Sequence, residues 1–139
     1  MSISNELFSD FLRCKYKVYL ILTGRSGFKS DYQRLQIRLS KDYLYRACNY
    51  FLKSHQGVTV SRSACSLSEV IKHQYSIVTN VIATEGEATA HFDVLIRAPR
   101  PFSSLGAEYF PVSFVRQEKL TREHKLLIAF CGLVLSIKQ

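Results

Sequence analysis

The sequence predicts an α+β fold in which two helices precede a short meander of strands and a closing helix. Three observations predict it. Apolar residues recur every three or four positions as far as Ser54, and β-branched residues in alternation follow Gly57. The last segment is helical in period again. At 139 residues the chain fits one domain and is long enough to bury a core without staples.

In residues 4–23, Leu7, Phe8, Phe11, Leu12, Tyr16, Tyr19 and Leu20 trace one face of an expected single helix, stopped by Gly24. Lys15 and Lys17 fall on its outer side. The link GRSGFKS is short and polar. A second helix is expected over residues 31–54, with Leu35, Leu39, Tyr43, Ala47 and Phe51 on one stripe and Gly57 as its stop. Residues 58–61 read as a short strand and 67–73 as one or two helical turns. Residues 75–84 form a strand, Glu85-Gly86 a hairpin turn, and 88–97 the partner strand. The Pro/Gly/Ser-rich stretch APRPFSSLGA leads to a third strand over 108–116, where Pro111 points to an edge or a bulge. Residues 121–137 form the last helix. Gly132 within it costs roughly 1 kcal/mol against alanine, which suggests close contact with the sheet. Within one domain over 1–139, residues 1–57 form a basic helical part and 58–139 a sheet with its helix.

Hydrophobic residues make up 47% and charged residues 22%, ordinary values for a soluble globular protein. No apolar run approaches the roughly 18 residues a membrane span needs. Charges run through the opening segment, which excludes a secretory signal and makes cytoplasm the expected location. The formal charge is +8 and unevenly placed. Residues 1–62 hold eleven Lys/Arg against four acids, and the remainder eight against seven. Such a half suits a polyanion, most simply nucleic acid, or is a solvated helix surface. Tyr16, Tyr32, Tyr45 and Tyr50 lie among those basic residues, where they can stack on unpaired bases or fill the helix stripes as core.

Cys14, Cys48, Cys65 and Cys131 form no C-x-x-C pair, and the four histidines make no zinc spacing with them, so buried free thiols are expected. No serine–histidine–acid arrangement, phosphate loop or dinucleotide fingerprint is present; GRSG at 24–27 reads as a turn.

Alternation along ATAHFDVLIR sends Phe92, Val94 and Ile96 to the core and His91, Asp93, Leu95 and Arg97 to the other face. A carboxylate in mid-strand is costly unless a cation or donors pair with it. A divalent metal would serve, since hard oxygen ligands suit it. So would pairing with Arg97, or a solvated sheet face.

The segments HFDVLIRAP and EYFPVSFVRQEKLTREHKLLIAFCGLVLS, with the opening SNELFSDFLRCKYKVYLILTG, resemble RecB-like nucleases of the PD-(D/E)XK superfamily over nearly the whole chain. The resemblance implies a restriction-endonuclease-like α-β-β-β-α core with two N-terminal helices. It also implies DNA as substrate and Mg²⁺ held by Asp93 and a second acid, with a lysine two residues on to activate water. The chain departs from that pattern. The E-x-K positions fall on Ser113-Phe114-Val115, which as a strand would set Ser113 and Val115 on one face. A helical Gln and Tyr fall on Leu127 and Cys131, and no histidine precedes His55 in the helix before the sheet. Substitutes nearby are Glu108, a candidate second metal ligand, together with Glu118 and Lys119. Glu118, Lys119 and Glu123 equally fit a solvated approach to the last helix. Arg13, Lys15 and Lys17, with Arg97 and Arg116, are the candidate nucleic-acid contacts; the last two equally suit acid partners. Some relatives hold an iron–sulfur cluster on four cysteines. Cys14 imitates the first of them, but no cysteine cluster follows near the C-terminus, so no cluster is expected. The relatives are longer, so a partner chain or a missing C-terminal region is expected to cover the last helix. The expected function is a RecB-like nuclease homologue acting on DNA, weakened or inactive. The alternatives are a non-catalytic nucleic-acid-binding module and a fragment with an association role.

Overall fold

A computed structural model of the chain describes residues 2–25, 27–55, 60–61, 65–98 and 109–138. Gly57, the loop over 99–107 and Glu108 lie outside the described residues. The elements run β1 (Ile3–Ser4), α1 (Asn5–Arg13), α2 (Lys15–Leu22), α3 (Asp31–Ser54), β2 (Val60–Ser61), β3 (Cys65–Ser66) and α4 (Leu67–His73). They continue with β4 (Ile77–Glu85), β5 (Ala88–Arg97), β6 (Tyr109–Val112) and α5 (Arg122–Lys138). The chain is a mixed α+β structure, as expected.

The single helix expected over 4–23 is instead two. Cys14 adopts an extended backbone (φ −155°, ψ 101°) and ends α1 while opening α2. Ser4 caps α1 through its hydroxyl, which accepts from the Leu7 N–H. The α3 helix begins and ends where the sequence places it. Ser30 and Gln33 form a reciprocal capping box there, and Ser66 and Glu69 form another at α4.

The sheet is mixed. β5 lies between β4, antiparallel to it, and an outer edge shared end to end by β1 and β6. β2 and β3 share the far edge of β4 in the same way, both parallel to it. The hairpin closes on Glu85↔Ala88, so its two turn residues are Gly86 and Glu87. Gly86 takes the left-handed φ of 54° that the first position of such a turn favours. β1 comes from the helical half of the chain and α1 packs against α5, the Phe8 and Phe130 rings stacking at 4.9 Å. The division at residue 57 therefore does not separate the packing.

Both faces of the hairpin are covered. Val78, Val81, Phe92 and Leu95 pack with Leu67 and Val70 of α4 and with Val134 and Leu135 of α5. Ile77, Val94 and Ile96 pack with Leu52, Cys48 and Phe51 of α3. Phe92 and Leu95 share a cluster though three residues apart, and Val94 belongs to the other. The alternation expected for this strand therefore slips by one at Asp93. It slips on β4 as well, between Val78 and Val81. The cause lies between them: Asn80 sits in the left-handed region (φ 58°), which asparagine tolerates better than a β-branched residue. The register of Thr79↔Val94 and Val81↔Phe92 leaves Asn80 across from Asp93.

Two further expectations are corrected. β6 spans four residues, not nine; Pro111 sits on this outer strand. A side chain added at Gly132 would meet no described atom within 4 Å, so that glycine marks no close approach to the sheet. No described helix is long and apolar enough to cross a membrane.

Candidate functional site around Asp93

Asp93 occupies the middle of the central strand and is half-buried. The chain leaves β6 at Val112 and crosses its carboxyl. The Phe114 N–H donates to Asp93 Oδ2 at 3.4 Å, and the Ser113 side chain lies close enough to lower the pKa of the same carboxyl. Val115 gives its carbonyl to the Tyr43 hydroxyl of α3 at 2.7 Å. The backbone of 113–115 thus satisfies polar groups with side chains instead of the strand ladder, which is why β6 stops early. Ser113 and Val115 do not share a strand face, because no strand exists there.

Burial pushes the Asp93 carboxyl above the ordinary carboxylate range. The Phe114 N–H, the nearby His91 and the Ser113 hydroxyl each pull it partly back. Its charge is felt by two thiols. Cys48 is raised first by burial and then by Asp93. Cys131 is raised by burial, lowered by a hydrogen bond from Asn5, and raised again by Asp93. Cys48 is half-buried and Cys131 buried, while Cys14 is exposed, against the expectation that it too is buried.

His91 reaches across the ladder, its Nε2 2.6 Å from Asn80 Oδ1. Asn5, at the start of α1, pairs with the His91 backbone twice: Nδ2 donates to His91 O at 2.8 Å, and the His91 N–H donates to Oδ1 at 3.0 Å. Asn5 Nδ2 also lies 3.4 Å from Cys131 Sγ.

Of the substitutes for the missing acid and lysine, Glu118 and Lys119 lie exposed in the bends between β6 and α5, and Glu108 lies outside the described residues. Glu123 is engaged elsewhere, paired with Arg13 at 2.7 Å and accepting from Ser9 at 2.9 Å. A Mg²⁺ ion is a poor fit to the described surroundings of Asp93. Around one carboxylate stand a serine hydroxyl, a backbone N–H, an imidazole and two thiols, and a hard cation prefers several oxygens. No group of three or more metal-ligating side chains forms among the described residues.

The other candidate cations are spread out. Lys17 pairs with Asp10 at 2.6 Å, and Lys15 lies 5.6 Å from the centre of the Phe11 ring. Arg97 donates to the Gln74 carbonyl at 3.3 Å and Arg116 to Gln36 Oε1 at the same distance. A more regular basic surface lies on α3, where Arg34, Arg38 and Lys41 recur at spacings of four and three and are all exposed. Tyr16, Tyr32, Tyr45 and Tyr50 are 67%, 69%, 71% and 77% exposed, which rules out the core role for all four.

Sequence reasoning missed Asn5, Asn80 and Cys48 in this neighbourhood. Asn80 left a signal, as a residue of low β-propensity inside the β-branched run IVTNVIAT. No family model, curated protein or solved structure matches the chain.

Proposed function

We propose that this chain is a RecB-like nuclease relative that binds DNA, with cleavage weakened or lost. The observation that carries the reading is the meeting of Asp93 with Ser113 and Phe114. Such a nuclease holds its metal on a central-strand carboxylate; Asp93 lies on the central strand here, and the next stretch of chain meets it with the Phe114 N–H and the Ser113 side chain. Those groups hold a carboxyl in place; they supply neither a second metal ligand nor a lysine to activate water. The exposed basic stripe of α3 supports DNA as the partner, since phosphates attract such a surface without regard to sequence. A cytoplasmic location belongs to the same proposal.

The test is binding and cleavage by the purified chain. Affinity for DNA is expected to fall steeply between low and moderate salt, as counterion release requires, with no cleavage in Mg²⁺ or Mn²⁺. Cleavage abolished by Asp93→Ala would overturn the loss of activity, and the absence of binding at low salt would overturn DNA as partner. One observation favours a second reading, subunit association. Leu126, Leu133 and Ile137 form an exposed apolar stripe on α5. Sedimentation over a range of concentrations separates the two.

A further inference from the structure

Beside Asp93 lies an open groove of about 610 Å³ between α3 and the chain leaving β6, lined by Tyr43, Arg46, Tyr50, Phe51 and Phe114 among others. Its floor is aromatic: the Phe51 and Phe114 rings meet edge to face at 5.8 Å. Tyr50 stands at its wall with 77% of its surface in solvent. Arg46 is exposed and makes no hydrogen bond or ion pair among the described residues. The groove is continuous with the Asp93 neighbourhood through Phe114, whose ring lines it and whose N–H holds the Asp93 carboxyl.

Aromatic faces beside an uncommitted guanidinium call for a ligand with a flat ring and a nearby negative charge. Phosphates alone would leave the aromatic surface unused, and an apolar partner would leave Arg46 to be buried without a counter-charge. An unpaired nucleobase uses both, stacking its ring and presenting the adjoining phosphate to the rim. We infer that this groove takes one unpaired base of single-stranded DNA, stacked on Tyr50, with Arg46 on its phosphate. The inference rests on the reading of the chain as a DNA-binding domain and deepens it, naming an unpaired strand as what is bound.

The test uses the full chain and three fluorescein-labelled oligonucleotides of equal length: oligo-dT, its fully abasic counterpart and a duplex. Anisotropy at low salt is expected to show oligo-dT bound about tenfold more tightly than the abasic strand, the size of a single stacking contact. Tyr50→Ala should erase that difference and Tyr50→Phe should keep it, both variants melting with the parent because the ring is exposed. Equal affinity for oligo-dT and the abasic strand, or a difference that survives Tyr50→Ala, overturns the base site while leaving DNA binding intact. Failure to bind all three at low salt overturns both.

Discussion

Replacing Asn5 with alanine should destabilise the fold through contacts that join the first and the central strands. The Asn5 amide makes two hydrogen bonds to the His91 backbone, at 2.8 and 3.0 Å. It continues by side chain the parallel pairing of Ile3 and Ser4 with Ala88 and Thr89. Each such bond contributes about 1 kcal/mol net, since water competes for its partners. Alanine returns a few tenths through its better helix propensity at the first position of α1. The expected loss is therefore about 1.5 kcal/mol, or a Tm lower by about 5 °C for a chain of this size. Urea and thermal melts measure the total, and hydrogen exchange at the His91 amide assigns it. That N–H should lose protection in Asn5→Ala and keep it in Asn5→Asp, which retains the acceptor oxygen. A stability within about 0.3 kcal/mol of the parent with unchanged exchange at His91 would refute the pairing.

Gly132→Ala should stabilise α5 by up to about 1 kcal/mol, because the added methyl meets open space and alanine is the better helix former; a lower Tm would mean that the site is tighter than described. Asp93 gives a pH dependence whose sign follows from its raised pKa. The folded chain holds that proton to higher pH than the unfolded one, so this group's contribution to stability falls as pH rises from the ordinary carboxylate range through the raised value. Asp93→Asn should remove that slope and be more stable than the parent at neutral pH. Urea melts from pH 4 to pH 8 check it, and an asparagine variant weaker at neutral pH would show that the donors outweigh the burial.

The parts of the fold that were legible are those that local chemistry dictates. The stripe of Leu35, Leu39, Tyr43, Ala47 and Phe51 marked α3, and Gly86 marked the hairpin between two β-branched runs. What stayed hidden has no local signature. Strands of two residues, such as Ile3–Ser4 and Cys65–Ser66, are too short to show a period and exist only because β4 and β5 offer open edges. The break at Cys14 involves neither glycine nor proline, so the apolar period runs through it unmarked. The slip at Asn80 and Asp93 is the costliest omission. One left-handed residue assigns Leu95 to the α5 face with Phe92 and Val94 to the α3 face, where strict alternation would have exchanged the two.

That slip bears on why a carboxylate sits at position 93 at all. Where alternation fails, the strand cannot send residue 93 cleanly into either apolar cluster, and a small polar side chain is tolerated there. The chain leaving β6 meanwhile carries an N–H at Phe114 that has lost the ladder as a partner. Asp93 accepts it, Val115 hands its carbonyl to Tyr43, and the Phe114 ring lies against Phe51. The carboxyl thereby ends β6 and helps fasten α3 over the sheet, a structural role that requires no metal. A carboxylate kept for that reason would tolerate asparagine, which still accepts the Phe114 N–H. One kept as a metal ligand would lose its purpose with the same change. DNA binding by Asp93→Asn with and without Mg²⁺ therefore separates the two, because the structural role predicts binding equal to the parent's and indifferent to the ion, whereas a metal ligand predicts an ion dependence that the substitution removes.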